Sequence, residues 1–316
     1  MGKTRFSGPI YSRGVPILGG HFGWKNAGNT WFVDGTNGSD GNSGKDTDHP
    51  FASLGKAIGT TDAAGIADAY DVVYVLDKGL SGTDPNPYQE ASFNLLSRYA
   101  NNNLAIVGVP HNIHYLYGLQ IKGHSSATTA LLNIKAPFTA IENLSFNRGG
   151  STTGGIYFDD EGDTTDQAQG SSVYNCYFRN LRGTGNGSTG GGIVIDGGWN
   201  YIIEACKFYN NRGGIVVKSS AASTVEGVII RDCAFAGAVA TVDTYIHVSG
   251  TVARNIYDRL VFASALPAYS GGLTAYVYDT VSSDSILSDS FFGGAGLVAG
   301  ATTTNAIVIG TGVRIA

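Results

Sequence analysis

The chain has 316 residues, a formal net charge of -5 and a sequence pI near 5.6. This acidic balance argues against a nucleic-acid-binding protein, because such a protein needs a basic surface. No apolar stretch approaches the roughly 18 residues of a membrane-spanning helix, and 46 glycines with only 14% charged residues suit tight turns and stacked β-branched interiors rather than helices.

Residues 1–28 are predicted to be an extended anchoring arm. The segment is rich in Gly and Pro and has no strand or helix period, yet it carries several large apolar side chains. Because a free arm would expose those groups to water, we expect it to dock on a partner or on the body's own flank. The candidate partner-binding residues are Arg5, Phe6, Tyr11, Ile17, Phe22 and Trp24. No apolar run of signal-peptide length is present, so nothing marks the chain for ordinary secretion.

Residues 29–64 are predicted to close the first end of a solenoid. The strand TWFVD leads through a polar loop to PFASLGKAIG, where Phe51, Leu54 and Ile58 lie at helical spacing. A short amphipathic helix here would cover the open end of the stack. The loop also offers hard oxygen ligands, although it lacks the bidentate glutamate of an EF-hand. These candidates for a structural calcium ion are Asp34, Asn37, Asp40 and Asn42.

Residues 65–316 are predicted to form a parallel β-helix. Early strand candidates are VVYVL (72–76), LAIVGV (104–109), LQIKG (119–123) and LLNIKA (131–136). From Ile141 onward one phrase occurs six times, as IENLSF, VYNCYF, IEACKF, IRDCAF, YDRLVF and LSDSFF. The final Phe residues of these copies step by 32, 30, 27, 27 and 30 positions. A period near thirty is typical of a repeat architecture.

The alternation of inward and outward positions breaks once within each copy. Ile230 and Cys233 both look inward-facing although an odd number of positions separates them, so a corner must lie between them. The residues at the break are Asn143, Asn175, Ala205, Asp232, Arg259 and Asp289, and Asn and Asp best tolerate a left-handed backbone. An interleaved phrase, GGIYFD in its first copy, adds another strand. Six clear coils and two or three degraded ones predict a rod about 40 Å long, at ~4.8 Å per rung.

The three cysteines occupy one place in three successive repeats. Cys176, Cys206 and Cys233 stand where neighbouring copies have Leu144 and Leu260. No CxxC-like spacing is present, so a metal site is not indicated. We therefore predict a stacked interior column of free thiols.

The candidate catalytic residues come from the interleaved phrase. Asp159, Asp196 and Lys218 follow its strand at the same offset in three consecutive coils, so they are expected to stack about 5 Å apart. Two carboxylates at that distance suit a retaining glycosidase. The alternative is a solvated ladder in which Lys218 balances Asp196. Glu161 joins the candidate set from the acidic loop DDEGDTTDQAQG, which is itself a second candidate for calcium or a cationic partner.

Aromatic residues supply candidates for carbohydrate binding. Trp199 and Tyr201 follow a glycine pair, and the alternative is that such rings fill turns or interfaces. Further rings that could stack on sugars are Tyr115, Tyr117, Tyr269, Tyr276 and Tyr278. The chain ends in AIVIGTGVRIA, an uncapped strand and a candidate contact between copies.

Two resemblances add to these expectations. The segment WFVDGTNGSDGNSGKDTDHPFASLGKAI (31–58) resembles the opening of many pectate-lyase-like right-handed β-helix proteins, in which Val-Asp, a Gly-Ser-Asp-rich loop and Pro-Phe precede a capping helix. This resemblance implies an all-β, single-stranded right-handed parallel β-helix. The start KTRFSGP (3–9) resembles that of bacteriophage virion proteins which attach through a short N-terminal segment. Motifs of the polysaccharide-cleaving members are matched only in part, by GHS (123–125) and VRI (313–315).

Two functions remain open at this point. The first is a non-enzymatic capsid decoration protein, expected to be a homotrimer without a cofactor, held on the major capsid protein or another virion protein. It would be made in the host cytoplasm without a signal peptide and would reside on the phage particle. The second is a tailspike-like or secreted protein that binds or cleaves a surface polysaccharide, as a lyase or glycoside hydrolase. The lack of a complete catalytic motif favours the first.

Overall fold

The structure is a computed structural model. It describes residues 11–12, 15–16, 28–60, 64–81, 84–85, 87–90, 93–95, 102–109, 119–122, 130–147, 154–159, 168–181, 191–219, 224–237, 244–262, 275–279, 281–292, 307–309 and 313–315. Five of the six candidate partner-binding residues in the arm, Arg5, Phe6, Ile17, Phe22 and Trp24, lie outside this set. The backbone of the sixth, Tyr11, is in a short antiparallel pair of Tyr11–Ser12 with Val15–Pro16.

Three parallel sheets wrap around one interior, and from Ala105 onward the chain visits them in the order A, B, C in successive coils. Sheet A contains Thr30–Asp34, Val72–Leu76, Ala105–Val109, Ala140–Glu142, Ser172–Tyr174, Ile202–Glu204, Ile229–Arg231, Ile256–Asp258, Ser285–Ser288 and Val313–Ile315. Sheet B contains Gln120–Lys122, Ser145–Asn147, Tyr177–Arg179, Lys207–Tyr209, Ala234–Ala236, Val261–Phe262 and Phe291–Phe292. Sheet C contains Phe93–Leu95, Ala130–Ile134, Gly154–Asp159, Ile193–Asp196, Ile215–Lys218, Thr244–Ser249, Ala275–Asp279 and Ile307–Ile309.

Smaller elements sit at the turns of the coil. A three-stranded parallel sheet joins Gly198–Trp199, Val225–Glu226 and Val252–Ala253, and Leu80–Ser81 pairs antiparallel with Asp84–Pro85. The helix Leu54–Ile58 lies near the first coils. No helix in the described part of the chain is long and apolar enough to cross a membrane.

Each strand pairs with its equivalent in the next coil, as the repeat predicts. In sheet A, Ile141 is opposite Val173, and in sheet B, Phe146 is opposite Phe178. The ten strands of sheet A correspond to the six clear repeats, three earlier coils and one at the end. The predicted scaffold is therefore confirmed, and nine steps of ~4.8 Å correspond to a rod about 43 Å long.

The chain turns between sheets A and B at the position predicted from the break in the alternation of inward and outward residues. All six residues predicted there have a positive φ, from 42° at Asp289 to 57° at Asn143. Polar side chains stack along this corner, since Asn175 Nδ2 donates to Asn143 Oδ1 over 2.7 Å and Arg259 pairs with Asp232. The hydrogen bond from the Arg259 side chain is the main reason that the pKa of Asp232 is lowered.

The interior is built from aligned columns. Phe146, Phe178, Phe208, Phe235 and Phe262 form a continuous stack with ring centroids 4.8–5.1 Å apart. Offset or parallel contacts of this kind stabilise beyond the area they bury. Cys176, Cys206 and Cys233 are buried and free, so the predicted thiol column is confirmed.

The short helix packs against the first coils, and one of its expected residues lies outside it. Leu54 and Ile58 are buried in the core as expected, and the Ser53 hydroxyl caps the helix by accepting from Lys56 N–H over 3.2 Å. Phe51, however, precedes the helix, because its N–H donates to the Phe32 carbonyl over 2.9 Å in strand fashion. Its ring is buried and stacks on Trp31 at 5.8 Å.

Candidate functional site

The polar column predicted at the end of the sheet C strands is present. In the register of the sheet, Asp159 is opposite Asp196, and Asp196 is opposite Lys218. The preceding residues of these strands, including Ile195 and Val217, point into the core. Successive side chains of a strand point to opposite faces, so the column lies on the outer face of sheet C.

Each carboxylate of the column is paired with a lysine. Asp159 Oδ2 lies 3.3 Å from Lys135 Nζ, and Asp196 forms an ion pair with Lys218. The Tyr157 hydroxyl donates a further hydrogen bond to Asp196 Oδ2 over 2.6 Å. Along the rod the column therefore reads Lys, Asp, Asp, Lys and is electrically balanced.

Lys135 and Tyr157 were missed among the candidate residues of this column. Lys135 follows Ile134, which pairs with Phe158, so the lysine takes the same offset one coil before Asp159. Lys135 is present in the strand candidate LLNIKA. Its alignment with Asp159, however, cannot be read from the sequence without knowing how the segment between the two strands is looped. Tyr157 is recognisable only once the register is known, since it lies one coil away from Asp196 in space.

The column is buried rather than solvated, which corrects the ladder hypothesis in that respect. Asp159 and Asp196 expose 3% and 2% of their surface. Beside them, outward-pointing apolar side chains form a separate buried cluster of Ala130, Tyr157, Val194 and Val216. A buried ion pair is stable only when both charges keep their partners. The column is therefore a set of ion pairs in which the carboxylates are buried and the lysines are partly exposed.

Glycoside cleavage would need a different arrangement of these carboxylates. A retaining glycosidase requires one protonated acid and one accessible carboxylate nucleophile on either side of a sugar. Asp159 and Asp196, in contrast, each form an ion pair with a lysine and are buried. Glu161 lies beyond the residues that the structure describes. The catalytic assignment of Asp159, Asp196, Glu161 and Lys218 stays a prediction.

The candidate calcium-binding side chains in residues 29–64 make hydrogen bonds within the protein. Asp34 Oδ1 accepts from the N–H groups of Thr36 and Asn37 over 2.8 and 3.1 Å. Asp40 accepts from the Ser53 N–H and hydroxyl, and Asn42 donates to the Pro50 carbonyl. Among the described residues, no group of three His, Cys, Asp or Glu could hold a metal ion. Calcium binding by this loop stays a prediction.

The two aromatic candidates have different environments. Trp199 is 46% exposed, as a sugar-stacking ring requires. Tyr201, in contrast, is fully buried, with its hydroxyl donating to the Gly197 carbonyl over 3.1 Å and its ring 5.3 Å from Phe158. The reason is a corner at Asn200, whose φ of 61° turns the chain inward. Tyr201 is therefore a core residue, and its assignment to an exposed carbohydrate-binding surface was wrong.

Of the other tyrosine candidates for stacking on sugars, the structure describes the side chain of one. Tyr278 is half-buried and stacks on His247 at 5.2 Å. Tyr115, Tyr117 and Tyr269, and the side chain of Tyr276, fall outside what the structure describes.

Three sheets coiled in this order define a parallel β-helix protein. The sequence matches the family described as right handed beta helix region over residues 117–311, which is more than half of the chain. The chain therefore belongs to the right-handed β-helix family, and the predicted fold class is confirmed. Among curated proteins, none matches this sequence.

Several solved structures are similar to the chain at low identity. A rhamnogalacturonan lyase is 14% identical, with 92% of this chain and 87% of that chain covered and a TM-score of 0.46. The pectate lyase Pel9A is 11% identical, with coverages of 91% and 78% and a TM-score of 0.46. A GH136 lacto-N-biosidase from Eubacterium ramulus is 10% identical, with coverages of 90% and 68% and a TM-score of 0.42. At these values the likeness carries no statement about activity.

Proposed function

We propose that the chain is a non-enzymatic structural protein of a bacteriophage virion, a capsid decoration protein held by its N-terminal arm. The observation that carries the non-enzymatic part is the buried column of Lys135, Asp159, Asp196 and Lys218. A general acid or nucleophile must reach the substrate. Both candidate carboxylates instead have lysine partners and expose almost no surface.

The rod itself suits a rigid projection from a particle. Its interior columns continue from coil to coil, and from Ala105 to Phe292 successive coils are hydrogen-bonded along all three sheets. In a solenoid of this kind, stability grows with each interface between neighbouring repeats. Such a scaffold presents a long, rigid surface and requires no conformational change.

Attachment is assigned to residues 1–28. The segment combines Arg5 and Phe6 with further aromatic side chains, a composition suited to an interface core. Its resemblance to the attachment segments of phage virion proteins supports the proposal, with the major capsid protein or another virion protein as the partner.

A homotrimer is part of the proposal. On the outer face of sheet A, Ile256 is opposite Ile286, and both are 37% exposed. These two aligned isoleucines form an apolar strip that a contact between copies would bury. Sedimentation equilibrium tests this assignment, and an Ile256→Asp variant is expected to shift a trimer to monomers.

Capsid binding tests the main proposal. Purified protein is mixed with capsids stripped of it, and bound protein is measured by co-sedimentation. Saturable binding is expected, and Arg5→Glu with Phe6→Ala is expected to weaken it by at least roughly tenfold, since central aromatic and Arg residues dominate interfaces. Lys45→Glu, in the exposed loop of the body, is the matched charge control. Absence of saturable binding by the unaltered protein would remove the proposal.

A second function, glycan binding, is favoured by the exposed Trp199. Its strand places it opposite Glu226, which forms an ion pair with Arg254, so a flat ring lies beside polar groups. Host capsular polysaccharides provide the test, in which binding and the release of reducing or unsaturated ends are measured together. Binding lost in Trp199→Ala without release of ends supports a lectin-like role. Release of ends that is lost in Asp159→Asn or Asp196→Asn would overturn the non-enzymatic assignment.

A further inference from the structure

A row of exposed aromatic side chains lies along the corner of the rod that leads into sheet A. Its members, named here the aromatic ridge, are Tyr70, Phe138 and Trp199, which are 48%, 42% and 46% exposed. They stand just before the second, fourth and sixth strands of sheet A. The three rings therefore recur at every second coil along one edge of the rod.

Backbone hydrogen bonds from coil to coil align this corner. Each corner residue donates its N–H to the carbonyl of the residue that precedes the next corner, as Gly170 does to Trp199 over 2.8 Å. Trp199 itself stands immediately before the fifth of these corner residues. In successive coils they are Tyr70, Asn103, Phe138, Gly170 and Asn200. Two coils at ~4.8 Å separate neighbouring rings of the ridge by about 10 Å.

Two of the rings are held on a backbone that does not favour them. Tyr70 and Phe138 have φ values of 64° and 57°, and a bulky residue rarely adopts this left-handed conformation. The equivalent positions of other coils carry Asn103, Gly170 and Asn200, which adopt it more readily. Because both rings remain exposed, burial offsets little of the strain. Strain of this kind, kept without a gain in packing, points to a role in binding.

The positions between the rings are small or polar. The ring of Phe138 lies over Gly170 in the next coil, where an added Cβ would come within 2.4 Å of the ring atom Cδ1. Any side chain at position 170 would therefore displace the ring. Between Tyr70 and Phe138 the corner residue is Asn103, which is half-buried. The ridge thus alternates a projecting ring with a lower position, an arrangement that suits a linear ligand better than the contiguous apolar core of a protein interface.

We propose that the aromatic ridge binds a neutral, extended glycan of β-1,4-linked pyranoses that lies parallel to the axis of the rod. The proposal rests on the glycan-binding function of Trp199 given above and extends it. The C–H face of a pyranose packs against an aromatic ring. In such a glycan each sugar advances by about the rise of one coil, and alternate sugars turn the same face to one side. The three rings would then contact the first, third and fifth sugars of the chain.

The charge of the ridge selects a neutral ligand. Five corner residues and the five residues that precede them make up its surface from Ala69 to Asn200, and none of these ten is charged. They are Ala69, Tyr70, Asn102, Asn103, Pro137, Phe138, Gln169, Gly170, Trp199 and Asn200. An acidic polysaccharide would find no cation among them to pair with its carboxylates.

Isothermal titration calorimetry with oligosaccharides of defined length tests the proposal. The probes are cellohexaose and chitohexaose, each compared with its trisaccharide, and hexagalacturonate represents an acidic chain. At least one neutral hexasaccharide is expected to bind at least roughly fivefold more tightly than its trisaccharide, because the longer chain contacts all three rings and the shorter chain only two. Equal affinities for the two lengths, or preferred binding of hexagalacturonate, would overturn the proposal.

Substitutions that suit the left-handed corner separate the rings from the fold. Tyr70→Asn and Phe138→Asn introduce the residue type found at Asn103 and Asn200, so the variants are expected to unfold at no lower temperature than the unaltered protein. Each is expected to weaken binding of the hexasaccharide by at least roughly fivefold. Tyr209→Asn is the matched control, since Tyr209 is 45% exposed on sheet B, away from this corner. Its affinity is expected to equal that of the unaltered protein.

The outcomes distinguish the ridge from the functions proposed above. Binding that is lost in Trp199→Ala and unchanged in Tyr70→Asn and Phe138→Asn would overturn the ridge and leave glycan binding at Trp199 alone. Absence of binding to every probe would overturn both. If Phe138→Asn instead lowers the mass in sedimentation equilibrium and leaves glycan affinity unchanged, the ridge is a contact between copies and the proposal fails. Capsid binding is measured separately and depends on none of these results.

Discussion

Tyr257 donates a hydrogen bond to Asp279 inside the rod, with 2.7 Å between the hydroxyl and Oδ2. Both side chains are fully buried. Asp279 stands where the two preceding coils have Val217 and Val248. Its other oxygen accepts from the Ser282 N–H over 2.9 Å. One coil therefore replaces an apolar core position with a carboxylate that depends on its hydrogen-bond partners.

Removing the hydroxyl of Tyr257 is expected to destabilise the protein. Tyr257→Phe leaves Asp279 buried with one partner fewer, and the loss of a hydrogen bond to a charged group costs about 1.5–3 kcal/mol of unfolding free energy. Adding Asp279→Asn removes the charge while keeping an acceptor for Ser282, so the double variant is expected to be no less stable than Tyr257→Phe. Urea denaturation measures both. Additive losses in the double variant would contradict this account.

Ala205 is expected to be a site where substitution stabilises the protein. It has a φ of 54° at the corner where neighbouring coils carry Asn143, Asn175 and Asp232. Ala205→Gly relieves the left-handed strain, which amounts to about 1 kcal/mol for a residue with a Cβ. Ala234→Gly, in the adjacent strand, is the control and is expected to destabilise. Thermal unfolding midpoints distinguish these outcomes, and a destabilised Ala205→Gly protein would show that the corner is unstrained.

The repeat was predictable because the corner residue and the core residues recur at equivalent positions in each copy of the sequence. Asn143 and its equivalents mark the corner by a break in alternation, and Cys176, Cys206 and Cys233 mark one column by position. Tyr201 was not predictable in this way. Alternation places it beside Trp199, and only the left-handed backbone of Asn200 turns it inward.

The environment of the candidate site was predictable only in part. The register of Asp159, Asp196 and Lys218 followed from equal offsets along the sequence. Their burial did not, because it depends on the apolar cluster of Tyr157, Val194 and neighbouring residues on the outer face. A strand that is covered on both faces loses the polar alternation by which an exposed face is recognised.

Lys218→Met is expected to be strongly destabilising. It leaves Asp196 as a buried carboxylate that keeps only the Tyr157 hydrogen bond among the partners described above. Removing one member of a buried ion pair costs about 3–5 kcal/mol. Lys207→Met, at an exposed position of sheet B, is the control and is expected to change the unfolding free energy by less than about 0.5 kcal/mol. Equal effects of the two substitutions in urea denaturation would show that the column is solvated and adds little to stability.

Stability is expected to fall in alkaline solution because of buried groups in the rod. Burial is the main cause that raises the pKa of the Cys206 and Cys233 thiols above 9.0 and that of Tyr257 above 10.0. Above those pH values the unfolded chain releases protons that the folded chain retains, so the unfolded state binds fewer protons. Below about pH 8 these groups contribute their full stabilisation. As the pH rises past the ordinary pKa of a group, that group lowers the unfolding free energy by about 1.4 kcal/mol per pH unit.

Urea denaturation between pH 7 and pH 11 measures this dependence. A variant with Cys206→Ala and Cys233→Ala is expected to be less stable at pH 7, because it loses buried volume. Between pH 9 and pH 10, however, its stability is expected to change less steeply than that of the unaltered protein, since two of the titrating groups are absent. Parallel pH profiles in the two proteins would mean that the thiol column titrates no differently in the folded and unfolded chains.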